Sequence, residues 1–304
     1  MDWKAQQLTL TLASDMHCGD MPLGIVAGAF PFVPCHIPFF SLVPAIVAGL
    51  RMPDRRSSYR AVEDLLTASV RFTPLYVFHK GHPLFPWEGD SKLQLEVLYM
   101  SGKSGVKLDT LDRSAIESAL FETEVMLAAP RRKNGRACFE ATHLTGAIFW
   151  KAGENEDVSL DEVGVFRWNG GAFPLEEALA AMRLGGDRTK SLGALAGAEL
   201  APLPEGGVWG IYPAVLGGQY PELIVSGGTR GPMPLFKPED AEGFYGEWCV
   251  LTGRRYKAPD SKGPDGFGLA MDEGRIAWKA GWKRLDGNAV RIELCLPRAA
   301  ALVR

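Results

Sequence analysis

Strand-like and helix-like patterns alternate along the first 200 residues, and their order constrains the fold more than any single motif does. The stretch QLTLTLASD places Leu8, Leu10 and Leu12 on one face and threonines on the other, as in a half-buried strand. Apolar residues at helical spacing then predict two helices, over residues 40–51 and 58–69. The chain therefore begins with a strand followed by helices.

Four later segments read as strands. VRFTPLYVF (70–78) and KLQLEVLYM (92–100) are rich in β-branched and aromatic residues or alternate in polarity. ALFETEVMLA (119–128) and ACFEATHLTGAIFW (137–150) flank the basic turn PRRKNGR, residues 130–136. We expect these last two segments to form a long hairpin.

PLEEALAAMRLGG (174–186) predicts a helix, with Pro174 in its first turn and Gly185 as its left-handed C-terminal cap. ALAGAEL (194–200) follows as a final buried strand. The order is β-α-β-β-α-β with an insertion between the third and last strands, which is the ferredoxin-like (RRM-like) plan of an α+β protein. We predict such a domain, with insertions, over residues 1–200, and a smaller β-rich or second ferredoxin-like half over 201–304.

Composition limits the functional classes. The chain of 304 residues has a formal net charge of −3, which argues against non-specific coating of nucleic acid. It shows no signal segment and no apolar run of the roughly 18 residues that a membrane span needs, so we expect a cytoplasmic protein without a membrane partner. The five cysteines are scattered without a C-x-x-C pair, so we expect no disulfide framework, no metal site and no cofactor.

The stretch LGGDRTKSLG, residues 184–193, is a candidate ligand site. It fails the P-loop pattern, because that pattern requires glycine where Leu184 and Thr189 stand, and ATP and NAD are therefore not favoured. Glycine lets a phosphate-bearing strand approach the backbone, and Arg188 and Lys190 supply positive charge. The alternative is a helix cap followed by a solvated loop.

Three stretches resemble the RAMP superfamily of CRISPR-associated proteins. LGGDRTKSLG matches the family's Gly-rich loop, and GVKLDTLDRSAIESALFETEVM (105–126) matches the segment that leads into a strand. HIPFFSLVPAIVAGLR (36–51) resembles the opening of the family's first helix, although Phe39, Phe40 and Pro44 depart from it. The order of the three looks most like the "Cas-five" subunit of type III or type III-derived effector complexes, which caps the 5′ handle of crRNA.

The resemblance implies an RNA-binding, non-catalytic subunit. Its partners would be the 5′ handle of crRNA and backbone RAMP subunits, with a large subunit or an effector nuclease as further partners. The residues it places on RNA in the Gly-rich loop are Gly185, Gly186, Asp187, Arg188, Thr189, Lys190, Ser191 and Gly193. The basic residues that it also places on RNA, or in a thumb or partner contact, are Arg131, Arg132, Lys133 and Arg136.

Two other functions remain open from the sequence. The first is a metal-independent endoribonuclease that processes precursor crRNA, for which His36 is the candidate general base and Lys190 or Arg188 the stabilising cation. The second is an assembly protein without RNA contact. Aromatic residues such as Trp278 and Trp282, near lysines, could stack on bases, but core packing is the commoner role of such residues.

Overall fold

The structure is a computed structural model of the chain. The residues that it describes are 2–23, 26–108, 115–131, 140–155, 157–186, 191–236, 243–251, 254–257, 266–271, 275–294 and 302–303. Among these residues, no helix is long and apolar enough to cross a membrane.

The first 202 residues contain four α-helices and fourteen strands among the described residues. In chain order they are β1 (Lys4–Leu12), β2 (Gly19–Leu23), β3 (Val26–Ala29), α1 (His36–Gly49), α2 (Arg56–Ser69), β4 (Val70–Phe72), β5 (Tyr76–His79), β6 (His82–Pro83), α3 (Gly89–Gln94), a π-helical turn (Leu95–Tyr99), β7 (Met100–Leu108), β8 (Ala115–Met126), β9 (His143–Trp150), β10 (Gly153–Glu154), β11 (Ser159–Leu160), β12 (Val165–Trp168), β13 (Gly171–Pro174), α4 (Leu175–Ala180) and β14 (Leu195–Pro202).

The remaining described residues form short strands. They are β15 (Ala214–Val215), β16 (Glu222–Val225), β17 (Leu235–Phe236), β18 (Phe244–Tyr245), β19 (Trp248–Leu251), β20 (Arg254–Lys257), β21 (Gly266–Met271), β22 (Arg275–Trp278), β23 (Lys283–Arg284), β24 (Val290–Glu293) and β25 (Leu302–Val303).

The central sheet has the strand order β14-β1-β9-β5-β6, with β4 also pairing with β9, and the pairs described here are antiparallel. Helices α1 and α2 connect β1 to β4 and β5, and α4 precedes β14. If β4 and β5 count as one interrupted second strand, the order is fourth-first-third-second, which is the ferredoxin-like arrangement. The predicted α+β, ferredoxin-like fold is confirmed.

Burial explains the central position of β1 and β9. Leu8, Leu10 and Leu12 are buried, as the alternating pattern predicts. In β9, seven consecutive residues from Leu144 are buried, so this strand is covered on both faces and pairs with β1 on one side and β4 and β5 on the other. A strand of this kind reads as a continuous apolar run rather than as an alternation.

The first helix differs from its prediction. Helix α1 begins at His36, earlier than residue 40, and it carries Pro44 in its interior. Nine of its fourteen residues are buried, so packing around the helix offsets the loss of the one backbone hydrogen bond that proline cannot donate. Helix α2 buries Val62, Leu65 and Leu66 on one face, as its helical spacing predicts.

The predicted strand over residues 92–100 is wrong. This segment is helix α3 followed by the π-helical turn, and only Met100 begins a strand. Ser91, Leu95 and Tyr99 are buried, whereas Leu93 and Val97 are exposed. The buried positions recur every four residues, so the helical period describes them better than the alternation that predicted a strand.

The predicted hairpin of residues 119–150 is also wrong. Strand β8 pairs with β7 in a separate four-stranded sheet of order β2-β3-β8-β7, whereas β9 lies in the central sheet. The chain therefore passes from one sheet to another between β8 and β9. The third strand of the central sheet is therefore β9, from the residues predicted as the inserted hairpin, rather than residues 92–100. A further small sheet, β10-β11-β12-β13, lies between β9 and α4.

The C-terminal residues form small sheets, of orders β15-β16-β24-β25, β17-β22-β19, β18-β23 and β20-β21, and the described residues beyond 202 contain no helix. The later half is thus β-rich, one of the two forms predicted. It packs directly on the central sheet, since the indole of Trp209 donates to the carbonyl of Thr145 at 3.0 Å and Tyr76 donates its hydroxyl hydrogen to the carbonyl of Pro232. The boundary near residue 200 stays a prediction.

Candidate nucleic-acid interface

The Gly-rich turn is anchored to the segment that follows β1. The amide of Gly186 donates to the carbonyl of His17 at 2.8 Å, and the amide of Gly193 donates to the carbonyl of Asp15 at 2.8 Å. The two sides of the turn are joined by a bond of 2.9 Å from the Leu184 amide to the Gly193 carbonyl. Both ends of the turn are therefore hydrogen-bonded to the residues that directly follow strand β1.

The predicted helix before the turn is too long. Helix α4 ends at Ala180, and the chain then runs through an isolated β-bridge between Arg183 and Ala194. Gly185 does adopt a left-handed conformation, but it lies five residues beyond the helix and caps nothing. Strand β14, which follows the turn, is a half-exposed edge strand rather than the buried strand predicted.

Two glycines of the turn are required by close backbone packing. Gly185 has φ of +78°, and a Cβ added there would lie 2.1 Å from the carbonyl oxygen of His17. Gly193 has φ of +72°, and its Cβ would lie 1.8 Å from the carbonyl oxygen of Leu184. Packing accounts for both residues without any ligand.

Gly186 is different, because its surroundings do not demand glycine. Its φ lies outside the left-handed region, it is exposed, and the nearest atom to an added Cβ is the ring Cδ2 of His17 at 3.5 Å. The missing side chain therefore leaves the His17 ring uncovered on this side. Ser191, at the far end of the turn, is exposed as well.

Several predicted RNA-binding residues lie outside the described residues. They are Asp187, Arg188, Thr189, Lys190, Arg132, Lys133 and Arg136. By sequence the first four connect Gly186 to Ser191, and the others follow Arg131. Arg131 itself is exposed; its amide donates to the carbonyl of Leu98 at 2.7 Å and its guanidinium donates to the hydroxyl of Ser101.

The two described ends of the Gly-rich turn and the residues 126–128, which precede Arg131, meet at the same short segment, Asp15–His17. One side of this segment bonds to the Gly-rich turn, as described above. On the other side, Met16 and Met126 exchange backbone hydrogen bonds of 2.8 and 2.7 Å, and the amide of Ala128 donates to Oδ1 of Asp15 at 2.8 Å. Residues 126–131 thus lead directly from this segment toward the basic stretch.

Asp15, Met16 and His17 were not among the predicted site residues. Asp15 also pairs with Lys103 of strand β7, with 2.8 Å between Oδ2 and Nζ, and the Lys103 side chain is about half exposed. His17 bonds through Nδ1 to the carbonyl of Glu124 at 2.7 Å. The only sequence signal was a histidine shortly after the first strand. The contact that orients this histidine comes from Glu124 of β8, which is distant in the chain.

The candidate general base His36 is poorly placed for catalysis. It is the first residue of α1, and its Nδ1 is buried without a hydrogen-bond partner in the described part of the chain. Burial lowers the pKa of His36 to about 4. A base whose pKa lies so far below neutral accepts a proton weakly, so the endoribonuclease alternative gains no support from this residue.

Trp278 and Trp282, considered for base stacking, are buried. Their burial agrees with core packing, the role that the sequence analysis favoured. Cys18 and Cys35 are buried too, and burial raises the pKa of each thiol to about 12.

No protein-family model matches the sequence, and no curated protein matches it. Among solved structures, the chain is similar to a chain from the cryo-EM structure of the Type III-B Cmr-beta bound to cognate target RNA and AMPPnP, state 1, with a TM-score of 0.44, 9% identity and 99% of each chain covered. A chain from the same complex bound to cognate target RNA has a TM-score of 0.43 and 10% identity, with 98% of each chain covered. The strand order of the central sheet, rather than this similarity, defines the chain as a ferredoxin-like α+β protein.

Proposed function

We propose that this chain is an RNA-binding subunit of a CRISPR ribonucleoprotein, which caps the 5′ handle of crRNA and seats the neighbouring backbone subunits. The observation that carries the proposal is the position of the Gly-rich turn. It is tied to the end of the central strand β1, with Gly186 exposed beside His17 and with the stretch that leads to Arg131 bonded to the same segment.

The chemistry of the turn suits an RNA backbone. Gly186 carries no side chain to keep a bulky sugar-phosphate strand away, and the next four residues by sequence include Arg188 and Lys190. Arginine can donate two parallel hydrogen bonds to a phosphate, and lysine acts as a point charge. Because the overall net charge is −3, binding would be local to this site rather than spread over the surface.

The proposal extends to partners and location. Backbone RAMP subunits would contact the chain beside the bound handle, with the basic stretch Arg131–Arg136 as a thumb or partner contact, and a large subunit or an effector nuclease would join the same particle. The protein would act in the cytoplasm. Chemistry on RNA is not part of the proposed role.

Co-purification tests the proposal most directly. The chain would be expressed with its genomic neighbours and a short repeat-spacer array and purified by a tag, and the ends of the bound RNA would be sequenced. We expect RNAs that share one repeat-derived 5′ end. Recovery of the neighbouring subunits without RNA would instead identify an assembly protein.

The same preparation tests the role of His36. Replacing His36 with alanine is expected to leave the position of the RNA 5′ ends unchanged, because a buried histidine with a pKa of about 4 is a weak general base. The measurement is end sequencing of RNA from the variant and from the unaltered chain. Loss of the defined 5′ end, with uncut precursor in its place, would show that this chain processes its own RNA.

Substitution of the turn cations is expected to change the salt dependence of RNA binding. Arg188→Ala and Lys190→Ala should each weaken affinity and reduce the slope of log K against log[salt] by about 0.7, the value for one phosphate contact to a single strand. Filter binding at several salt concentrations measures the slope. Arg60→Ala, at an exposed position on α2, serves as the control and should not change it. An unaltered slope in both turn variants would contradict phosphate binding by the turn.

A further inference from the structure

The His17 ring is held in one orientation at the base of the Gly-rich turn. Its Nδ1 lies 2.7 Å from the carbonyl oxygen of Glu124. A carbonyl oxygen can only accept a hydrogen bond, so Nδ1 must carry the hydrogen. In the neutral imidazole the other nitrogen, Nε2, is then an acceptor with a fixed direction.

Two exposed glycines lie beside the ring and leave it accessible. A Cβ on Gly19 would lie 3.1 Å from Nε2 of His17, and a Cβ on Gly186 would lie 3.5 Å from Cδ2. A side chain on Gly19 would crowd Nε2, and one on Gly186 would lie in van der Waals contact with the ring and cover it. Within the described part of the chain, no group forms a hydrogen bond with Nε2, although the side chain is only half-buried.

An acceptor in this position selects a particular donor. The phosphate oxygens of a nucleic-acid backbone are acceptors and cannot donate to Nε2. The ribose 2′-hydroxyl can donate, and it is the backbone group that distinguishes RNA from DNA. The open glycines let a backbone, rather than only a base edge, reach the ring.

We propose that Nε2 of His17 accepts a hydrogen bond from the 2′-hydroxyl of one nucleotide of the bound RNA, so that the site selects RNA over DNA. This inference rests on the proposed RNA binding by the Gly-rich turn. It adds a positioning contact on the sugar to the contacts that Arg188 and Lys190 would make with phosphate.

The decisive variant is His17→Asn. An asparagine side chain can place its amide nitrogen where Nδ1 stands, so it keeps the donor to Glu124 and removes only the Nε2 acceptor. The probe is the RNA identified by end sequencing, synthesised as a set in which each oligonucleotide carries one 2′-deoxy nucleotide. Affinities are measured with the full chain, and His82→Asn, at an exposed position on β6, is the control.

We expect one position at which removal of the 2′-hydroxyl weakens binding by about 3- to 10-fold, as for loss of one hydrogen bond. The same position should show no loss in His17→Asn, and the His82→Asn protein should behave as the unaltered chain does. A 2′-fluoro group at that position, which cannot donate, should weaken binding to the unaltered chain as much as the deoxy sugar does. The 2′-fluoro measurement uses only the unaltered chain, so it remains informative even if the asparagine variant folds poorly.

The failures are distinguishable. If RNA binds but the deoxy scan is the same for the unaltered chain and His17→Asn, or if 2′-fluoro binds as ribose does, the role of His17 is wrong while RNA binding stands. If no RNA binds, the proposed function fails and this inference fails with it.

Discussion

Replacing Gly185 with alanine is expected to lower the free energy of unfolding by about 2–4 kcal/mol and to reduce RNA affinity by at least tenfold. Gly185 has φ of +78°, which costs an alanine conformational energy, and the new Cβ would lie 2.1 Å from the carbonyl oxygen of His17. That oxygen accepts the hydrogen bond from the Gly186 amide. Relief of the clash must therefore separate the turn from His17.

Gly81→Ala is the matched control for this substitution. Gly81 lies between β5 and β6 with φ of +89°, and no atom lies within 4 Å of an added Cβ. The Gly81→Ala variant should lose only the free energy of unfolding that backbone strain costs, about 1 kcal/mol, and should bind RNA as tightly as the unaltered chain. Urea unfolding and RNA binding below the unfolding transition measure both effects. Equal destabilisation by the two alanines, or full RNA affinity in Gly185→Ala, would contradict the account of the turn.

Part of the central sheet was predictable because its signals are local, although its third strand, β9, was assigned to the hairpin. The alternation of Leu8, Leu10 and Leu12 defines β1, and the helical spacing of Val62, Leu65 and Leu66 defines the buried face of α2. Given strands and helices in that order, the ferredoxin-like arrangement follows, since it is a compact solution for a β-α-β-β-α-β chain. Each of these steps needs only a short window of sequence.

The errors arose where the structure depends on distant partners. Strand β8 looked like the neighbour of β9 because a basic turn separates the two in sequence, yet β8 pairs with β7 and β3. The same pairing carries Glu124 to His17, across more than 100 residues. The glycines of the site were visible in the sequence, whereas the histidine beside them became distinctive only once this long-range contact was known.

Arg71 illustrates a second long-range contact, this one between the two predicted halves. It lies in β4, is buried, and donates from Nε to the carbonyl of Leu294 at 2.6 Å. Its Nη1 donates to the carbonyls of Thr67 and Val70, at 2.8 and 2.7 Å. The guanidinium also lies over the rings of Trp3 and Tyr220, at 5.6 and 5.1 Å from their centroids. One side chain thus links the central sheet to residues near the C-terminus.

Arg71→Met is expected to lower the free energy of unfolding by about 3–5 kcal/mol, because it leaves buried carbonyl groups without their donor while keeping most of the apolar stem. Urea unfolding followed by tryptophan fluorescence measures the loss. The fluorescence should also report the C-terminal residues, since Trp282 is fully buried there. If the contacts of Arg71 hold the two halves together, the variant should unfold in two transitions or become sensitive to proteolysis near residue 200.

Arg60→Met provides the comparison for that experiment. Arg60 belongs to α2, its side chain is 72% exposed, and it pairs with the similarly exposed Asp64 one turn along the helix. This variant should change stability by no more than about 0.5 kcal/mol. A cost of under about 1 kcal/mol for Arg71→Met would mean that water or a rearranged neighbour satisfies the carbonyl of Leu294 without the arginine. The halves would then be held by apolar packing and by the bonds of Tyr76 and Trp209, rather than by the buried cation.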